Sequence, residues 1–373
     1  MTEHSFTETI KNILEDHFEN ESEMIFSISD LLKYINTKTR SANKGSKSRG
    51  SFANLYALYV LLEDYKSKGY IENNSYSKYE GAIFTDLLRR QRELPFGSKL
   101  QNHALNHRLN EEFKKYFPTS EISPIIRDVE SNRYWINESL IKVKLKSNTY
   151  NLCLPIIEII DEYVRTKKDS FEKFIETCEK LKEVVESENK SVQEFIVSLL
   201  APNVDARIFE IVSYSILKYY FHNQNIYWGY EIEKIKKENL KLFKTGRTNA
   251  NDGGIDFVMK PLGRFFQVTE TLDVTKYFLD IEKIERYPIT FVVKSIEIPK
   301  SLYQKLEANA KKKYPVDVVV HTYMSCIEEI INIPILIERF LETVKNGYLK
   351  NILDEIILQS KVEFNYEEDD LLD

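Results

Sequence analysis

The residues whose types and spacing fit chemistry lie in one stretch of the second half of the chain. Asp256 follows a glycine pair and opens an apolar segment, and beyond the turn at Pro261–Gly263 the residues Gln267 and Thr269 interrupt a second apolar segment. Because side chains alternate along a strand, Gln267 and Thr269 share one face, and Asp256 can join them across a hairpin. Burying a polar group without a partner is costly. The pattern therefore predicts a polar or ionic site on this hairpin.

The chemistry that suits this set is metal-assisted hydrolysis of a phosphodiester. Such hydrolysis needs oxygen ligands for a hard cation such as Mg²⁺, which polarises the phosphate and makes a hydroxide available near neutral pH. Asp256 is the principal predicted ligand, and Gln267 supplies a carbonyl oxygen or orients the attacking water. A second carboxylate is wanted, and Glu210, on a helix predicted before the hairpin, is the best donor. Each side chain also has an ordinary interpretation, as part of a turn, a partner of the backbone or a helix surface.

Strands and helices alternate through the second half, which favours a mixed sheet covered on both faces and an α/β (α+β) fold class. A helix is predicted over 204–220, and a hairpin over 254–269 carries Asp256 and Gln267. The other predicted elements are strands over 226–232, 240–244, 289–294 and 316–321, and helices over 274–287, 299–313 and 327–344.

The order of a helix with Glu210, a strand, the Asp256 hairpin, a helix and a strand resembles the PD-(D/E)xK nuclease core. The string Asp252-Gly-Gly-Ile-Asp256, followed by Phe266-Gln267-Val268, is similar to the Mrr-like branch, in which Gln replaces the usual acid. The resemblance covers residues 203–325, and the first half only loosely. Within this family the whole chain looks most like a type II restriction endonuclease with a large N-terminal recognition region. The resemblance implies a mixed sheet flanked by helices, Mg²⁺ as the cofactor, and metal and water roles for Glu210, Asp256 and Gln267.

The chain departs from the family at one position. The family's lysine, which is thought to orient the nucleophile, would fall at position 269, where this chain has Thr269, and a hydroxyl cannot supply a positive charge. Glu270 is an alternative second acid if a bulge reaims the strand. A degenerate nuclease fold without activity is the open alternative. The candidates to replace the lysine are Lys244, Lys260, Arg264 and Lys276.

Residues 1–200 are expected to form a mainly helical DNA-recognition region. No acid occurs from Leu31 to Leu62, and a basic loop over 43–50 leads into a predicted helix over 51–68, which suits backbone phosphates. The alternative is a loop that lysines simply solvate. The helices, followed by Tyr70-Ile71, suggest a winged-helix module. The predicted DNA contacts, which are side-chain types that pair with phosphates or base edges, are Lys44, Lys47, Arg49, Arg89, Arg92, Lys99, Gln101, Asn102, Arg108, Arg247 and Asn249.

The composition fits an ordinary globular protein of the cytoplasm. The net charge is -6 and the chain has 3 cysteines, too few and too irregularly spaced for a zinc site or a disulfide framework. No apolar run is long enough to cross a bilayer, and the first residues lack the pattern of a signal peptide. We expect a catalytic domain over 201–362 and an acidic tail over 363–373.

These features together predict Mg²⁺-dependent, sequence-specific cleavage of double-stranded DNA. Two strands need two active sites, so a homodimer is the simplest arrangement, and a methyltransferase of matching specificity is expected in the same cell. The alternatives are a modification-dependent, Mrr-like endonuclease, which an aromatic-lined pocket for a flipped base would favour, and a DNA-binding protein on an inactive nuclease fold. The chain lacks a P-loop, a dinucleotide fingerprint and a nucleophile elbow, which argues against a metabolic enzyme.

Overall fold

A computed structural model describes residues 3–42, 48–71, 75–97, 100–245 and 255–364. Several predicted DNA contacts lie outside the described residues, as does the end of the predicted acidic tail from residue 365 onward. These contacts are Lys44, Lys47, Lys99, Arg247, Asn249 and the side chain of Arg49. No helix within the described ranges is long and apolar enough to span a membrane.

The chain forms two compact units, Met1–Lys173 and Phe174–Asp373, whereas the sequence predicted a division at residue 200. The elements of the first unit are α1 (Thr7–Phe18), α2 (Ser22–Ile28), α3 (Asp30–Thr39), α4 (Ser48–Ser67), β1 (Ala82–Ile83), α5 (Phe84–Glu93), α6 (Leu109–Tyr116), β2 (Ile125–Asp128), β3 (Arg133–Ile136), α7 (Glu138–Ile141), β4 (Lys142–Leu145), β5 (Asn148–Asn151) and α8 (Cys153–Glu183), which continues into the second unit.

Helix α4 is the centre of the first unit. Its residues from Phe52 to Tyr65 are mostly buried in one core, and Gly69 adopts a φ of 77° just after the helix, a value that glycine accepts without strain. After α4 the order is β1, α5, α6, β2 and β3, and the strands pair antiparallel in the spatial order β1-β3-β2. A π-helical turn over Ala104–Arg108 leads directly into α6.

The elements of the second unit alternate between helix and strand. They are α9 (Asn189–Ser198), α10 (Ala206–His222), β6 (Asn225–Trp228), β7 (Lys236–Asn239), β8 (Lys241–Lys244), β9 (Phe257–Lys260), β10 (Arg264–Thr269), α11 (Val274–Lys283), β11 (Ile289–Val293), α12 (Pro299–Lys313), α13 (Asp317–Ser325), β12 (Ile327–Ile331), α14 (Ile333–Lys345) and α15 (Leu349–Phe364).

A five-stranded sheet in the order β12-β11-β10-β9-β8 forms the middle layer of this unit. Strand β9 is antiparallel to both neighbours, and β10, β11 and β12 are parallel to one another. One face packs on α10, α14 and α15, with Phe266 and Val292 in that core. The other face packs on α11, α12 and α13, with Phe291 and Val293 in that core. The mixed α and β architecture agrees with the predicted fold class.

The structure differs from the prediction near the end of the sheet. The predicted strand over 316–321 is helix α13, and the predicted helix over 327–344 is strand β12 followed by α14. The valine run misled because Val318 is 75% exposed, while Val320 and Met324 are buried at helical spacing. Helix α14 begins only after Asn332, whose side chain accepts a hydrogen bond from the backbone of Ile335.

Candidate active site

One edge of the five-stranded sheet gathers the polar residues of the hairpin. Because β9 runs against its neighbours, the ends of β8, β10 and β11 lie at the same edge as the start of β9. Lys244 ends β8, Asp256 directly precedes β9, Thr269 ends β10 and Lys294 directly follows β11. The fold therefore brings together side chains that are far apart in the sequence.

Asp256 is held on both sides by the backbone of neighbouring strands. Its N–H donates to the carbonyl of Phe266 at 3.0 Å, and its own carbonyl accepts from the N–H of Thr245 at 3.1 Å. Its carboxylate Oδ2 accepts from the N–H of Val268 at 2.6 Å. The carboxylate thus takes the place of a main-chain acceptor at the end of the β9–β10 ladder, which fixes its position directly beside Gln267.

Phe266 and Val268 on either side of Gln267 face α10, so by alternation Gln267 faces α11. Its neighbour on the adjacent strand β11 is Phe291. Its Nε2 makes only a long contact of 3.4 Å to the carbonyl of Val268. Its Oε1 is buried and has no hydrogen-bond partner among the described residues. A buried carbonyl oxygen without a donor has the free lone pairs that a cation or a water needs.

Thr269 is occupied by a local turn. Its Oγ1 donates to the carbonyl of Thr271 at 3.1 Å and accepts from the N–H of the same residue at 3.3 Å. A hydroxyl engaged in this way is a weak substitute for the lysine that the resemblance implies at this position.

Glu210 does not join Asp256 and Gln267. Its Oε1 is 2.9 Å from the Nζ of Lys244, and both side chains are 13% exposed. Burial raises the pKa of the Glu210 carboxyl, against the opposing attraction of Lys244. Helix α10 covers the face of the sheet that Phe266 occupies, whereas Gln267 points to the other face. The structure thus places two of the three predicted metal ligands together and pairs the third with a lysine.

Sequence reasoning missed a second ion pair at this edge, in which the lysine is buried and the glutamate is exposed. The Nζ of Lys294 is 2.7 Å from Oε1 of Glu270, also donates to the carbonyl of Val204, and lies 5.8 Å from the ring centroid of Phe209. The Lys294 side chain is 2% exposed. The signal in the sequence was a lysine directly after a wholly apolar strand, at the end where parallel strands carry functional groups.

The four candidates to replace the family's lysine lie in different places. Lys260 and Arg264 flank the turn at the far end of the hairpin, where Lys260 packs on Phe243 and Arg264 binds Glu329. Lys276 is on α11. Lys244 is the candidate whose strand, β8, pairs directly with the strand that follows Asp256.

The chemistry of the donor set fits Mg²⁺ in part. Asp256 offers a carboxylate and Gln267 offers an unpartnered amide oxygen, and Mg²⁺ commonly uses one or two carboxylates together with water and substrate phosphate. Among the described residues no three His, Cys, Asp or Glu side chains cluster as a metal site. The fit therefore rests on Asp256 and Gln267, without Glu210.

The predicted DNA contacts of the first unit that fall within the description lie around α5 and α6. Gln101 and Arg108 are exposed and Asn102 is half-buried. Arg89 is exposed and pairs with Asp86 at 2.8 Å. Arg92 uses its Nε to bind the carbonyl of Leu100 at 3.0 Å, which fixes the connection between the two helices.

Two further features of the first unit bear on whether it holds a metal or a flipped base. His103 and His107 lie side by side with ring centroids 5.9 Å apart, and both are exposed. A cavity of about 460 Å³ is lined by aliphatic side chains and by charged ones such as Glu63, Asp64 and Arg90, without an aromatic ring. It is therefore unsuited to stacking a flipped base.

Comparisons with known proteins identify no relative: no family model, no curated protein and no solved structure matches the chain.

Proposed function

We propose that the chain is a Mg²⁺-dependent endonuclease that cuts double-stranded DNA at specific sites, as type II restriction endonucleases do. The observation that carries this proposal is the Asp256 carboxylate fixed beside the unpartnered oxygen of Gln267 at one edge of a mixed sheet. The order α10, β8, β9, β10, α11, β11 is also the order that the resemblance to PD-(D/E)xK nucleases implies.

In this proposal, Asp256 and Gln267 hold the ion, and the backbone of Val268 orients the carboxylate through its 2.6 Å hydrogen bond. When bound, Mg²⁺ would polarise the scissile phosphate and make hydroxide available near neutral pH. Lys244 and Lys294 place positive charge on the α10 side of the same edge, where each is neutralised by a glutamate. These pairs fix the strand ends that position Asp256.

The first unit supports DNA binding by its topology. The order α4, β1, α5, α6, β2, β3 with strand order β1-β3-β2 is compatible with a winged helix, which supports the proposal. In helix-turn-helix proteins the second helix of the pair enters the major groove and contacts bases through its N-terminal residues. Here that helix is α6, and Gln101, Asn102 and Arg108 lie at its N-terminal end.

The proposal is tested by the substitution Asp256→Asn. Asparagine keeps a carbonyl oxygen for the N–H of Val268 but loses the negative charge, so the fold is retained while metal binding weakens. We expect wild-type protein to cut unmethylated phage DNA into discrete fragments with Mg²⁺, and Asp256→Asn to lose at least about 100-fold in rate, as removal of one charged group from a site typically does.

The matched control is Asp317→Asn, which removes an exposed carboxylate from the first turn of α13. It should cut like wild type. If Asp256→Asn cuts as fast as wild type while both variants are folded, Asp256 is not a catalytic ligand and the proposal is wrong.

A second candidate is a DNA-binding protein on an inactive nuclease fold. Two observations favour it: Thr269 is engaged in a local turn, and Glu210 is engaged with Lys244. This candidate predicts binding to DNA without cleavage in Mg²⁺. A modification-dependent enzyme predicts cleavage of methylated DNA alone, but the charged cavity of the first unit does not favour it.

A further inference from the structure

A two-stranded arm, residues 225–239, leaves the core of the second unit between α10 and β8. Strands β6 and β7 pair antiparallel within it, and neither strand pairs with the five-stranded sheet. The arm is anchored by Ile226, which packs against the core, and by Asn239, whose Nδ2 donates to the carbonyl of His222 on α10 at 2.6 Å. Within the arm, the indole of Trp228 donates to Glu238 at 3.1 Å. The rest of the arm faces outward.

The outward part of the arm carries four large apolar side chains among its charged ones. Tyr230 is 96% exposed, Ile232 84%, Tyr227 70% and Ile235 53%, all within nine consecutive positions. Contiguous exposed apolar side chains mark interaction surfaces, and an isolated two-stranded ribbon is only marginally stable in water. The arm therefore has the character of a segment that another surface covers.

The charges of the arm indicate what that surface is. Glu231 is paired with Lys234 at 2.8 Å, and Glu238 is engaged by Trp228. Glu233 near the turn and Lys236 and Lys237 on β7 make no ion pair within the described part of the chain. A twofold interface requires a patch that is complementary to itself. Two arms laid antiparallel about a twofold axis would set Glu233 of each copy against the lysines of the other and bury the apolar side chains between them.

We propose that this arm is the interface through which two copies of the chain associate. Nucleic acid is a poor match, because the three acidic residues of the arm balance its three lysines and leave no net attraction for phosphate. The arm contains none of the residues assigned to catalysis, so two copies would associate through it whether or not the protein cuts DNA.

The first experiment measures the mass of the full chain without DNA, by sedimentation equilibrium over a range of concentrations. Wild type should be a dimer. The double substitution Tyr230→Ser/Ile232→Ser removes two apolar anchors and should raise the dissociation constant of the dimer by about 100-fold or more. The control Val318→Ser changes a side chain that is 75% exposed on α13, and should leave the dimer unchanged.

The second experiment tests the twofold arrangement by reversing charges. The double substitution Lys236→Glu/Lys237→Glu makes the three charges of the arm that form no ion pair all acidic, and Glu233→Lys makes them all basic. Each variant alone should therefore repel a second copy of itself and dissociate. A mixture of the two should form a heterodimer, which also shows that both variants are folded. A monomeric wild type, or arm variants that dimerise as tightly as wild type, would overturn the proposal. A mixture that stays monomeric would overturn the antiparallel twofold arrangement of the two arms.

Because these measurements contain no DNA, their outcome is separate from that of the Asp256→Asn assay. A dimeric protein that does not cut overturns the nuclease proposal alone, and a monomeric protein that cuts overturns the arm proposal alone.

Discussion

Glu210 shows how a single buried carboxylate can be explained by an ion pair rather than by a metal. Removing two charges from water is costly, and their attraction compensates only when the geometry is good. Here Lys244 approaches to 2.9 Å, yet the pKa of Glu210 still lies above its ordinary value because burial is the largest influence. Nearby Glu363 raises this pKa further, and Arg207 lowers it.

The pair can be tested with Lys244→Met, which leaves Glu210 buried without its lysine. Breaking a buried pair typically costs about 3–5 kcal/mol. Because the pKa of Glu210 in the folded state is raised above its unfolded value, the folded state holds the proton more tightly. Stability therefore falls as pH rises from the unfolded pKa to the folded pKa. Losing Lys244 raises the pKa further, so the loss of stability should be large near neutral pH and shrink in acid.

Urea unfolding at about pH 5 and about pH 7.5 measures this difference. The control is Glu210→Gln/Lys244→Met, which contains neither charge and should differ from wild type by a similar amount at both pH values. If Lys244→Met is equally destabilised at both, Glu210 does not titrate in the way its burial requires.

At the scale of elements, the hairpin was predictable and the end of the sheet was not. The β9–β10 hairpin is local: an apolar segment, the turn at Pro261–Gly263 and a second apolar segment define it, so the adjacency of Asp256 and Gln267 follows from residues close in sequence. Strand β12 pairs in parallel with β11 across two intervening helices. That pairing depends on tertiary packing, and the valines before it read as a strand although they form α13.

An ion network fastens these late elements together, and Glu329 is its centre. Glu329 on β12 binds Arg264 of β10 at 2.7 Å and also binds Arg339 of α14. The guanidinium carbon of each arginine lies 5.8 Å from the ring centroid of Phe221. The network joins two strands and a helix that the sequence order separates.

Glu329→Ala should therefore lower the free energy of unfolding by about 2–4 kcal/mol, because it removes the carboxylate that two largely buried guanidinium groups share. The neighbouring Glu328 provides a matched control. It also approaches Arg264, at 3.0 Å, but is 42% exposed, so Glu328→Ala should cost less than about 1 kcal/mol. Urea unfolding of the two variants measures the contrast, and equal losses would contradict the central role of Glu329.

At the scale of the whole molecule, the sequence predicted the mixture of helices and strands, but not the ion pairs that join them. The alternation of helices and strands in the second half and the helical first half follow from apolar periodicity. The pairs Glu210–Lys244 and Glu270–Lys294 join residues separated by whole elements, so no local pattern reveals them. The strand Ala82–Ile83, which completes the small sheet of the first unit, was not predicted, because two residues carry too little periodicity to be recognised.

The two units should divide binding and cutting between them, which the full chain can show without Mg²⁺. Gln101→Ala should weaken binding to the cognate site by about 1–3 kcal/mol and relax the sequence specificity. Arg108→Ala should reduce the slope of log affinity against log salt concentration by about one, as expected for the loss of one phosphate contact. Asp256→Asn should bind at least as tightly as wild type, because it removes a negative charge near the phosphates. Lys144→Ala, at an exposed position of β4 in the first unit, is the control and should bind like wild type. Fluorescence anisotropy over a salt series measures all four. If Asp256→Asn loses binding while Gln101→Ala and Arg108→Ala keep it, recognition lies in the second unit instead, because the unit that reads DNA must be the one whose side chains set the affinity.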